Sequence, residues 1–260
     1  MRERRCRLST VLRVIAGLAA MISGTAFGQP GRFPGIPSDA KTIEVRAIPQ
    51  AVHANRALVL WMVNPQTHPR SEDYPEAYTC PDETRGWFYR GPTRVSLVDN
   101  ALNKTVNTVE IKIALVNGWE DQFDIPYRIQ PKYYRVDPPL RTGEGKPVIM
   151  DLKDYNGDGQ SLEFAVFNAE GCSVVATQLI GYSQRQDRVI QYPIDLKGEW
   201  YEGRDPTLLW LDSFLLEKPT HEAVRKYSRH YNSGTTATFE IRYDAVSERF
   251  RGTVEWEDDH

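Results

Sequence analysis

The chain has 260 residues, 40% of them apolar, enough to bury one large core or two small ones. Its net charge is −3, and it falls to −7 when the basic amino-terminal segment described next is set aside. A chain of that sign has no electrostatic reason to bind nucleic acid, whose phosphates reward Lys and Arg.

Residues 1–28 open with the basic head MRERRCR and continue into the apolar run VIAGLAAMISGTAF. Ala26 and Gly28 place small side chains at −3 and −1 before Gln29. This pattern predicts a secretory signal peptide cleaved near Gly28, and hence a secreted or periplasmic protein. A membrane-spanning helix needs about 20 apolar residues. Arg13 cuts this run short, and no other segment is long and apolar enough, so no transmembrane segment is expected in the mature chain. Cys6 leaves with the signal, and Cys80 and Cys172 remain as an even pair in an oxidising compartment. A Cys80–Cys172 bridge would contribute about 4–5 kcal/mol by restricting the unfolded chain. Two separate buried thiols are the alternative.

Residues 29–40 form a Pro- and Gly-rich leader. Strand structure is predicted to start at KTIEVRAI, 41–48, by its alternation, followed by ALVLWMV, 57–63, a continuous apolar run suited to burial on both faces. A long polar segment with Cys80 and the aromatics Trp87, Phe88 and Tyr89 comes next. TRVSLVDNALNKTVNTVEIKI, VVATQLIGYSQRQDRVIQYPIDL and TATFEIRYDAVSERFRGTVEWE each read as strand, polar break, strand, the signature of a hairpin. KPVIMDL and SLEFAVF would make a fourth pair. The fold class expected is all-β, as a sandwich or propeller-like antiparallel sheets, with one short helix over 220–231. That helix is inferred from the capping Thr220, from Ala223, Val224, Tyr227 and Tyr231 on one helical face, and from the NSG that follows. RTGEGKP, 141–147, is the predicted boundary between β-rich parts at 41–140 and 141–260, unless 41–260 forms one domain.

The stretch DLKDYNGDGQSLEFAVF, 151–167, carries the chemistry. Asp154, Asn156 and Asp158 alternate, Gly157 and Gly159 intervene, and an apolar strand follows. A hard dication such as calcium takes six to eight oxygen ligands, and a loop wraps it with side chains at positions 1, 3 and 5, a glycine at 6 and a carbonyl at 7. Those places fall on Asp154, Asn156, Asp158, Gly159 and Gln160. The other reading is a bare hairpin turn, because Asn-Gly and Asp-Gly accept positive φ. That reading explains the glycines and leaves the in-phase Asp154 without a reason.

The motif DYNGDGQSLEFAVF resembles the aspartate-rich calcium loop of FG-GAP and VCBS repeats, the loops of integrin-alpha-type β-propellers, and also the first half of an EF-hand or dockerin loop. The resemblance is confined to 154–167 in a single copy, and it implies calcium as cofactor. The family's acidic residue at position 9 is replaced by Leu162, with Glu163 one place later. Glu163 or Asp151 would therefore have to complete the shell.

No GxSxG, P-loop, GxGxxG, CxxC or HExxH is present, and the five His lie in no ligand spacing. The expected function is a secreted or periplasmic binding module with a structural calcium loop, its partner a cell-surface protein or polysaccharide. The alternatives are a secreted hydrolase whose carboxylates carry no local signature, and a structural envelope protein in which the loop holds no metal.

Overall fold

β-branched and aromatic residues at alternate positions mark the longer strands among the described residues, such as TTATFEIRYD over 235–244. The computed structural model describes residues 33–69, 73–77, 88–112, 122–125, 134–137, 146–169, 175–199, 202, 208, 210, 224–231 and 233–258. The signal segment, Cys80 and Cys172 lie outside the described residues, so the cleavage and disulfide expectations do too.

Strands β1 (Lys41–Ala47), β2 (Arg56–Met62), β3 (Gln66–His68), β4 (Phe88–Asp99), β5 (Lys104–Glu110) and β6 (Gln122–Ile125) form a six-stranded antiparallel sheet. The long β4 is its hub, pairing with β2, β3, β5 and β6. Strands β7 (Arg135–Asp137) and β8 (Lys146–Val148) make a two-stranded ribbon. Strands β9 (Glu163–Ala169), β10 (Val175–Ser183) and β11 (Arg188–Gln191) follow as a sheet ordered β11-β10-β9. Strands β12 (Ile194–Lys197), β13 (Val224–Tyr231), β14 (Thr235–Asp244) and β15 (Arg249–Asp258) close the chain in the order β12-β15-β14-β13, with β12 parallel to β15. The protein is all-β, and no α-helix occurs among the described residues.

Strand β2 is buried along its whole length, as its unbroken apolar sequence requires. Leu58, Leu60 and Met62 enter the main core with Val95, Phe164, Leu179, Phe239 and Phe250. This single cluster draws on residues from both sides of 141–147. Ala57, Val59 and Trp61 face the other way and form a second cluster with Val98, against which Phe33, Ile36 and Ala40 pack. Each large apolar side chain so buried contributes roughly 1.5–3 kcal/mol.

Two expectations are corrected. The helix over 220–231 is instead strand β13, from Val224, paired antiparallel with β14 from Val224↔Arg242 to Tyr231↔Thr235. Exposure alternates from Lys226 to Tyr231, with Tyr227 and Tyr231 turned inward. A spacing of four is one helical turn and also two strand periods, so the tyrosines fit either structure. The sheet decides, because Tyr227 stacks on Phe239 and Tyr231 packs at a tilt against Trp256. Of the NSG read as a helix end, Ser233 and Gly234 form a turn before β14, with Gly234 at φ +76°. The second correction concerns KPVIMDL and SLEFAVF, which do not form a hairpin. Strand β8 pairs with β7 and β9 with β10, leaving one bridge, Lys153↔Glu163, between the two segments.

The three hairpins expected from sequence share a construction. Their turns end on a residue with positive φ immediately before the second strand: Asn103 (+47°), Asp187 (+49°) and Glu248 (+49°). Asn and Asp tolerate this backbone; Glu does not do so readily. Glu248 is held there by bonds to its carboxylate from the Ser183 hydroxyl, the Gln186 amide and Arg185.

Candidate metal centre

The loop 154–162 leaves the sheet at the Lys153↔Glu163 bridge and returns to it there. Lys153 N–H donates to the Glu163 carbonyl at 2.7 Å, and Glu163 N–H to the Lys153 carbonyl at 3.1 Å. Gly157 and Gly159 turn the backbone at φ +78° and +87°, a region only glycine enters without strain.

Asp154 is 7% exposed and organises the turn. Its Oδ1 accepts the Gly157 N–H at 2.7 Å and the Asp158 N–H at 3.1 Å, and its Oδ2 accepts the Gly159 N–H at 2.9 Å. Asn156 Oδ1 accepts the Asp158 N–H at 2.9 Å, and Asp158 Oδ1 accepts the Gln160 N–H at 2.8 Å. The three alternating side chains therefore fold back over their own loop.

Glu163 closes this arrangement from the strand side. It is fully buried, and its carboxylate accepts the Tyr155 N–H at 3.0 Å and the Asn156 amide at 3.1 Å. The same Asn156 nitrogen donates to Asp158 Oδ2 at 3.2 Å, so one amide group sits between two carboxylates. Burial, with the like charges of Asp158 and Asp154 added, pushes the Glu163 carboxyl up to about 8 against the bonds from Tyr155 and Asn156. Room for this side chain comes from the neighbouring strand. Gly181 stands directly opposite Glu163 in the β9–β10 register, and a Cβ at 181 would lie 2.8 Å from Glu163 Cγ and 2.9 Å from the Leu162 carbonyl oxygen.

Asp151 and Gln160 have side-chain partners of their own, and the ligand expected from Gln160 is its backbone carbonyl. The Asp151 carboxylate lies 3.6 Å from Lys153 Nζ. The Gln160 side chain is paired with Gln184, each amide donating to the other's oxygen at 3.0 and 2.6 Å, and Gln184 also donates to the Gln50 carbonyl. The side chains of Asn156, Asp158 and Glu163 are thus joined directly through the Asn156 amide, and Asp154 is tied to the same loop through backbone N–H groups. Among the described residues no three His, Cys, Asp or Glu side chains form a ready-made metal cage. The donors that do converge are all oxygen or amide, a set suited to a hard cation and unsuited to zinc.

A separate set of bonds laces distant turns together. Arg56 donates to Asp187 through Nε at 3.0 Å and also to Asp99, joining the start of β2 to the β4–β5 and β10–β11 turns. The Tyr182 hydroxyl donates to Asp187 Oδ1 at 2.8 Å and accepts the Val52 N–H at 3.2 Å. Sequence reasoning missed this network. Its one signal was Arg56, a charge opening a fully buried strand, which demands a partner. No protein-family model, curated protein or solved structure matches the chain.

Proposed function

We propose that this is an exported, non-catalytic β-rich binding module stabilised by one calcium ion in the loop 154–163. The observation that carries the reading is the Asn156 amide held between Asp158 Oδ2 and Glu163 Oε1, with the buried Asp154 bonded to three N–H groups of the same loop. Asp154 and Asp158 concentrate negative potential on the loop, and Glu163, which burial keeps protonated until about 8 without a cation, would give up its proton as the ion binds. A calcium ion would bind Asp154, Asn156 and Asp158, with Glu163 and the loop backbone at Gln160 completing the oxygen shell. Its chemistry would be structural: it neutralises the loop and ties it to β9. The likeness to the FG-GAP loop supports the same choice of ion, and the absence of any nucleophile or cofactor motif supports binding over catalysis. A cell-surface protein or polysaccharide is the partner class suited to an exported module.

Thermal melting in calcium and in chelator tests the ion. Calcium at 100 times its Kd should add about 2.7 kcal/mol of stability. Asp158→Ala should abolish the calcium response while leaving the chelated melting curve close to wild type. Identical wild-type melting in calcium and chelator would remove the metal from the proposal.

A further inference from the structure

We infer that Asn156–Gly157 is a latent deamidation site, locked by the hydrogen bonds of its own loop and released when that loop opens. The sequence supplies the reactive pair. A glycine after asparagine has no Cβ to obstruct its nitrogen and turns freely, so this is the context in which a peptide nitrogen most easily reaches the preceding side chain. In the reaction the Gly157 nitrogen bonds to Asn156 Cγ. The bond from Cγ to the side-chain nitrogen breaks, and ammonia departs with the proton given up by Gly157. Water then opens the cyclic imide at either carbonyl, leaving Asp or isoAsp. Water is consumed, ammonia is released, and no oxidant or cofactor takes part.

The structure holds both reacting groups away from this path. The Gly157 N–H points at Asp154 Oδ1, 2.7 Å away. A carboxylate is far too weak a base to strip a peptide proton, so this bond orients the nitrogen without activating it. The Asn156 carboxamide is gripped at both ends. Its oxygen accepts from Asp158 N–H at 2.9 Å, and its nitrogen donates to Asp158 Oδ2 at 3.2 Å and Glu163 Oε1 at 3.1 Å. Ring closure requires that carboxamide to swing over the Gly157 nitrogen and surrender those bonds. Reaction is therefore confined to the fraction of time the loop is open.

The product cannot restore the loop. Asp at 156 would set a carboxylate oxygen where an amide now donates to Asp158 and Glu163, losing both bonds and placing a like charge against Asp158. IsoAsp would add a methylene to the backbone and break the alternation of 154, 156 and 158. Opening of this loop is thus recorded irreversibly.

The test follows the mass and chromatographic position of the Asn156 peptide from the full chain, incubated at mildly alkaline pH either folded or in guanidinium. In guanidinium, Asn156–Gly157 and the chain's other Asn-Gly pair, Asn117–Gly118, should convert at similar rates. In the folded protein Asn156 should convert more slowly, on the order of a hundredfold, because about three hydrogen bonds must open first. Asp154→Ala should recover much of the unfolded rate while circular dichroism remains native. Equal Asn156 rates in folded and unfolded wild type would overturn the inference, as would a folded Asp154→Ala protein as slow as wild type. If Asp154→Ala does not fold, the wild-type pair of measurements decides alone.

Discussion

Glu163 is the residue on which the loop turns. It is fully buried, its carboxyl is raised from 4.5 to about 8, and Asp154 and Asp158 add to the cost of ionising it. The unfolded chain loses this proton near 4.5, whereas the native state keeps it until about 8. The native state therefore binds more protons across that window, and stability must fall as pH rises through it. Below the window the contribution is complete. Melting temperature in chelator, followed from pH 4.5 to 8, should decline for wild type and be flatter for Glu163→Gln. A wild-type profile as flat as the variant's would show that Glu163 is already ionised in the native state. At this scale the sequence was informative about identity and less so about direction. Asn156, Asp158 and Glu163 meet through the Asn156 amide, yet Asp154, Asn156 and Asp158 also turn toward backbone N–H groups that no residue spacing reveals.

Among the elements, the β9–β10 pair positions the site. Gly181 is a strand glycine whose absent side chain gives Glu163 its space. Gly181→Ala would press a methyl group against Glu163 Cγ and the Leu162 carbonyl, the second of which is backbone and cannot move cheaply. Overpacking of this kind costs roughly 1–3 kcal/mol. Urea denaturation should show that loss together with a weaker calcium response. A variant matching wild type in both would mean that Glu163 does not depend on this glycine. The hairpins were legible because strand, polar break and strand is a local pattern, and β4–β5, β10–β11 and β14–β15 all appear where that pattern lies. Strand β13 was not legible as a strand, since Thr220, the spaced tyrosines and the NSG satisfy helix rules equally well. The pairing of Tyr227 with Phe239 decided the matter, and that contact lies on another strand.

Across the whole molecule, Arg56 joins parts distant in the chain. It is 8% exposed and bonds Asp99 and Asp187, so β2, the β4–β5 turn and the β10–β11 turn share one buried cation. The Arg56 bond holds the Asp187 carboxyl below its usual 3.8. The Leu102 and Ala101 N–H groups, with Arg56, do the same for Asp99. Groups with depressed native values contribute stability above the unfolded value and lose it as pH falls through the native one. Acid unfolding of wild type should therefore steepen below about pH 3.8, and Arg56→Ala should blunt that limb. At neutral pH the same variant should show a lower urea midpoint, because two carboxylates are left without their cation. A midpoint unchanged from wild type would mean that solvent already screens the network.

Local chemistry, present in the sequence alone, determined that the chain is β-rich and where three of its hairpins turn. Alternation and turn residues act within a few residues, so they can be seen without coordinates. Tertiary structure alone decided that 224–231 is a strand, that the loop closes on a single bridge between segments paired elsewhere, and that Arg56 finds its acids at Asp99 and Asp187. Those outcomes depend on which surfaces can be buried together and which buried charges must be matched, and partners for both come from anywhere along the chain.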